Sequence, residues 1–83
     1  MTRRPTSLHA QTLLLALFEG RSHTEELAAG LGWTRRHLEA VVTHLVRLGL
    51  STRTPEGEVR LTMKGLAIAT TLHSHYVSSA AAA

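Results

Sequence analysis

The chain has no cysteine and no aspartate, and only Phe18, Trp33 and Tyr76 of its 83 residues are aromatic. Without cysteine there can be no disulfide and no thiolate metal site. With so few large rings, the core must be built from Leu, Val, Ile and Ala. A core of that size typically supplies only about 3–5 kcal/mol, so a partner subunit is expected to add buried area. Long apolar runs are missing too: none approaches the roughly 20 residues that a bilayer span requires. The opening stretch MTRRPTSLHAQTLLLALFEG sets Arg3 and Arg4 before an apolar segment. Gln11 and Thr12 interrupt that segment, however, and Glu19 stands where the lead into a signal-peptide cleavage site should be. It reads as the first helix of a cytoplasmic protein. Nine Lys and Arg against six Glu leave a net charge of only +3, a mild attraction for polyanions. Where the charges fall matters more than their sum.

What is present is clear periodicity. Ala10, Leu13, Leu14, Leu17 and Phe18 repeat as one face of a helix over about Leu8 to Glu19, entered through Pro5, Thr6 and Ser7 and closed by Gly20. Leu8 and Leu15 extend the apolar surface to a second flank. SHTEELAAGLG opens with a capping box between Ser22 and Glu25, turns Leu27 and Ala28 inward and stops at Gly30. Gly32 and Trp33 form a tight turn, and Thr34 has the chemistry of a new N-cap. A third helix from Arg35 to Leu48 carries Leu38, Val42, Leu45 and Leu48 inward with Val41 beside them, and Gly49 ends it. At about 100° per residue, Arg36, Ala40, Thr43 and Arg47 share the opposite face, flanked by His37, Glu39 and His44. LSTRTPEGEVRLT then alternates with a period of two around PEG, the pattern of a β-hairpin; its register stays open, because the turn can include a bulge. A last helix runs from Thr62 to Val77, with residues 78–83 as a frayed end or tail. The expectation is a single mostly α, α+β domain over residues 1–83, with residues 1–7 as an arm.

Two helices joined by a short glycine-containing turn form a helix-turn-helix, whose second helix enters the DNA major groove. Ser22–Leu50 fits that unit, and a hairpin follows at once. EELAAGLGWTRRHLEAVVTHLVRLGLSTR…GEVRLTMKG resembles the winged helix-turn-helix superfamily, and in particular small regulators of the multiple-antibiotic-resistance-regulator (MarR) type. The marks are EELA–LG, an L-GL exit from the third helix, and LT–KG leading into a closing helix, and the likeness covers about Leu8 to Val77. It implies a three-helix core with a hairpin wing and a C-terminal helix, a recognition helix over Thr34 to Arg47 and a wing over Arg53 to Arg60.

The side chains allow specific roles. Arg36 can donate two hydrogen bonds to guanine O6 and N7. Arg35 and Arg47 suit phosphates, as do Arg53 and Arg60 on the wing. Thr43 can meet a thymine methyl or a phosphate. Glu39 can accept from cytosine N4 or pair with Arg35 or Arg36. Thr34, His37 and His44 complete the expected DNA face, and Arg3 and Arg4 form an arm for the minor groove. No aromatic residue is set to stack exposed bases, which favours duplex over single strands. The competing explanation is a charged helix face that is merely solvated, and for the wing, single arginines on exposed strands beside Glu56 and Glu58. Trp33 is expected to fill the turn between helices.

Six histidines invite a metal site, but His37 and His44 lie two helical turns apart, His73 and His75 diverge, and no Asp or Cys completes a set. No catalytic triad or carboxylate pair is evident. Neither enzymatic activity nor a cofactor is expected. The last helix is apolar around most of its circumference, the mark of burial on more than one side. Leu66, Ile68, Ala69, Leu72 and Tyr76, with Leu8 and Leu15, are therefore expected to build a homodimer; the alternative is that Leu8 and Leu15 wrap around that helix within one chain. The resulting expectation is a dimeric, nucleoid-associated repressor that reads double-stranded DNA. A small-molecule effector, if one exists, would bind at the dimer cleft. The alternatives are a winged-helix protein-interaction module and a sequence-neutral chromatin protein.

Overall fold

Three helices, a hairpin and a fourth helix follow one another in the expected order. The computed structural model describes residues 8–82. It contains α1 (Leu8–Phe18), α2 (Thr24–Leu31), α3 (Arg35–Arg47), β1 (Ser51–Arg53), β2 (Val59–Leu61) and α4 (Met63–Ala82). The Pro5–Ser7 entry to α1 and the Arg3 and Arg4 arm lie outside the described residues.

Ala10, Leu13, Leu14 and Leu17 recur every three or four residues, so they line one face of α1, and all four are buried along with Ala16. Leu27 of α2, Leu38, Val41, Val42 and Leu45 of α3, Leu50, Val59 of β2 and Ala69 of α4 close on that face in one cluster. Fully burying a Leu or Val side chain contributes about 1.5–3 kcal/mol, so α1 and α3 carry most of the core. Leu48, expected inward, is only half-buried at the rim.

The ends of α3 follow the sequence. Thr34 Oγ1 accepts from the His37 amide at 3.1 Å, the expected N-cap bond. At the other end, Leu50 N–H donates to the Leu45 carbonyl at 2.9 Å and Gly49 N–H to Val46 at 3.0 Å. This Schellman closure needs a residue at positive φ, and Gly49 sits at φ 76°.

Both ends of α2 depart from expectation. The helix runs through Gly30 and stops at Gly32, which takes φ 70° while Trp33 N–H donates to the Ala28 carbonyl at 3.0 Å. The Ser22–Glu25 capping box does not form. His23 is the N-cap and makes no side-chain cap bond. The reason is non-local: Ser22 accepts from the Val59 amide at 2.8 Å, and His23 bridges Glu58 in antiparallel fashion. The chain before α2 is drawn out as a partial third strand, and Glu25 and Glu26 in the first turn answer the helix dipole instead.

β1 and β2 pair antiparallel with Ser51 opposite Leu61, Thr52 opposite Arg60 and Arg53 opposite Val59. Directly opposed residues share a face of the sheet. Ser51, Arg53, Val59 and Leu61 thus point to the protein side, and Thr52 and Arg60 point away. Ser51 is 2% exposed, and its hydroxyl has no hydrogen-bond partner.

The hairpin leads directly into α4, which crosses its root at close range. A Cβ on Gly65 would lie 1.9 Å from the Leu50 carbonyl oxygen, so only glycine permits this approach. Thr62 reinforces the junction, donating from its hydroxyl to Gly49 O at 2.7 Å and accepting from the Gly65 amide at 3.0 Å. α4 extends past the expected Val77 to Ala82 and packs chiefly on α1. Its helical phase corrects part of the expected subunit contact. Ala69 is fully buried in the chain's own core, and Ile68 and Leu72 pack against that core. These three fall on the same side of the helix as Gly65. Leu66, Tyr76 and Val77 remain about half exposed, Met63 is 84% exposed, and Leu8 of α1 is exposed as well. Leu15 is half-buried on α1.

A candidate nucleic-acid interface on α3 and the wing

The outer face of α3 is built by the same periodicity that builds its inner one. With Leu38, Val41, Val42 and Leu45 buried, the helix must turn Arg36, Ala40 and Arg47 outward, and all three are exposed. Arg35, in the first turn, is exposed too. Among the described residues, the side chains of Arg35, Arg36 and Arg47 make no ion pair. An uncompensated guanidinium offers five donors in a fixed fork, the geometry that recognises guanine edges and phosphates. Thr34 and His44 are exposed at the start and toward the end of the same helix.

Other expected contacts are placed differently. Arg53 is held by α3 itself: its guanidinium pairs with the Glu39 carboxylate, donates to the Glu39 carbonyl at 3.3 Å and donates to Thr43 Oγ1 at 2.7 Å. Glu39 is therefore paired with the wing and not with Arg35 or Arg36, and Thr43 is half-buried beneath Arg53. The strand register is the cause, because Arg53 shares the protein-facing side with Ser51. His37, expected to flank the outer face, turns toward Trp33 and His9. The three rings meet edge to face, with centroids 4.8 Å apart for Trp33–His37 and 4.7 Å for His9–His37. Trp33 thus fills the turn, as its position suggests, and it does so between two imidazoles. Arg60 stays on the outer face of the wing, where it reaches Glu58 at 3.2 Å, and the other Glu58 oxygen lies 3.5 Å from His23.

Two participants were not singled out from sequence. His9 lies on the exposed side of α1, and nothing in its local pattern reveals the ring cluster. Glu58 links the wing to the start of α2, and the only signal for this is its alternation with Val59. Among the described residues no three His or Glu side chains come close enough to hold a metal ion, and no helix is long and apolar enough to cross a membrane.

The arrangement is a winged helix-turn-helix: α2 and α3 joined by the Gly32–Trp33 turn, with the hairpin as wing. Solved structures share it. A point mutant of ZitR from Lactococcus lactis matches with a TM-score of 0.81 at 17% identity, over 99% of this chain and 60% of that one. The MarR family protein Rv2887 of Mycobacterium tuberculosis matches with a TM-score of 0.76 at 24% identity, over 90% and 57%. The likeness to MarR-type proteins read from the sequence therefore holds in three dimensions, as a likeness of fold. The chain spans no more than 60% of the length of either structure. No protein-family model matches the chain, and no curated protein matches it in sequence.

Proposed function

We propose that this protein binds double-stranded DNA with α3 in the major groove and regulates transcription, acting as a homodimeric repressor. The observation that carries the reading is the set of Arg35, Arg36 and Arg47, which project from one short helix without a carboxylate partner while Glu39 and Glu58 are engaged by the wing. Arg36 is the base reader, and Arg35 and Arg47 neutralise phosphates on either side of it. Residues of α4 and α1 that stay exposed, Leu66, Tyr76 and Leu8, supply the subunit contact. Two recognition helices related by a twofold axis would meet half-sites about 34–36 Å apart.

The test is fluorescence anisotropy of a labelled random-sequence duplex at low salt, followed by a salt titration. Binding should weaken log-linearly, each neutralised phosphate contributing about 0.9 to the slope. Absence of binding at low salt would refute the reading and favour a protein-interaction module. Equal competition by every duplex, including a pool selected for tight binding, would leave only a sequence-neutral chromatin role. Sedimentation equilibrium of Leu66→Glu tests the dimer: the variant should be monomeric and the parent dimeric.

A further inference from the structure

We propose that Arg53 is a positioning residue that fastens the wing to the recognition helix, with Glu39 and Thr43 as its seat. It is thereby excluded from the phosphate contacts that wing arginines invite. The inference rests on the DNA-binding reading above and specifies how the wing takes part in it.

Three features lead to it. First, strand parity sends the Arg53 side chain toward α3, away from the outer face that Thr52 and Arg60 occupy. Second, the guanidinium is engaged within the molecule through both of its terminal nitrogens. It meets the Glu39 carboxylate, the Glu39 carbonyl and the Thr43 hydroxyl, which lie one helical turn apart on α3. Swinging Arg53 out to a phosphate on the outer face of the wing would break these contacts and leave Glu39 as a bare carboxylate facing a polyanion. Third, the other anchors of the hairpin lie at its root and on its second strand and turn. Val59 is buried and donates its N–H to Ser22 O at 2.8 Å, and Thr24 N–H donates to Gly57 O at 3.4 Å, so the outer end of β1 depends on Arg53. β1 and β2 are three residues each, and the turn is closed by Thr54 N–H to Glu58 O at 2.9 Å and Gly57 N–H to Thr54 O at 3.1 Å. A two-stranded hairpin of that length is marginal on its own. Arg53 ties its first strand to the helix that would enter the groove, and the His23–Glu58 bridge ties its second to α2. The wing and α3 then approach the duplex as one body, which reduces the ordering cost of binding.

The same contacts reassign Glu39 and Thr43. Neither is free to read a base, because both are covered by the chain's own guanidinium. Sequence preference then falls to Arg36 and its neighbours on the uncovered side of α3.

The experiment compares Arg53→Ala, Arg53→Lys, Glu39→Gln and the Arg53→Ala/Glu39→Gln double variant with the parent protein. Two quantities are read: affinity for a random-sequence duplex across a salt series, and amide hydrogen exchange of residues 52–60 without DNA. Arg53→Ala and Glu39→Gln should each lower affinity by about two- to fivefold, and the double variant should lose no more than either. The salt slope should stay at the parent value, and wing amides should exchange faster in all four variants. Lysine keeps the charge but cannot span the three acceptors, so it should behave like alanine. The proposal is overturned if Arg53→Ala lowers the salt slope by about one unit, if Lys restores affinity, or if Glu39→Gln raises affinity by releasing Arg53 to phosphate. Hydrogen exchange separates the two levels. If the parent binds no duplex, the DNA-binding reading fails, yet unchanged exchange in the variants would still refute the fastening role.

Discussion

Five arginines lie on α3 and the wing, and they divide by element. Arg35, Arg36 and Arg47 on α3 are exposed and without a carboxylate partner, whereas Arg53 and Arg60 on the hairpin both hold glutamates. The residue type is the same, so the difference comes from backbone geometry. A helix with one buried face sends the residues opposite it straight into solvent, where no other element stands. A strand sends alternate residues to opposite faces. Arg53, on the face toward the protein, meets polar groups of α3, and Arg60, on the outer face, meets Glu58 two residues before it on the same side of the hairpin. Counting arginines along the sequence therefore overstates the charge available to a polyanion. Phase on the helix and parity on the strand decide which of them count.

The comparison can be broken most forcefully at the root of the wing. Gly65→Ala drives a methyl group into the Leu50 carbonyl, so α4 and the hairpin must part; chemical denaturation should show a loss of about 1–3 kcal/mol. An unchanged midpoint would mean that the crossing relaxes freely and does not fix the hairpin. A comparable effect, on binding and not on folding, is expected at Arg36. Arg36→Ala should cost about 1–3 kcal/mol of duplex affinity and blur sequence preference. Its counterpart on the wing, Arg60→Ala, should cost under about 0.5 kcal/mol, because Arg60 is an exposed side chain already paired with Glu58. Equal losses at the two positions would erase the division between helix and wing. The smallest effect belongs to Ser51→Ala, which removes a buried hydroxyl that has no partner. Thermal unfolding should be unchanged or stabilised by up to about 1 kcal/mol; clear destabilisation would mean that the hydroxyl is bonded after all.

Much of this was legible in the residues. Thr34 and Gly49 bracket α3 because an N-cap hydroxyl and a left-handed glycine are local requirements, and the 3.6-residue period located the core faces of α1 and α3. Expectations failed where a distant segment intervened. The Ser22–Glu25 box is sound local chemistry, but β2 claims the Ser22 carbonyl first. Gly30 and Gly32 are equally plausible helix stops by composition, and Trp33 packing against α3 selects the second. Arg53 turned on the hairpin register, which PEG alone does not fix. Ala69 is expected at the subunit contact because α4 is apolar nearly all round, and such a pattern does not say which side of the helix the chain's own core takes.

Trp33 is the chain's one tryptophan, and its indole lies against His9 of α1 and His37 of α3. A single native chromophore thus stands where α1, the interhelical turn and α3 converge. Its emission should report the seating of α3 without any introduced label, so that spectroscopy could follow the helix in real time as a duplex is added.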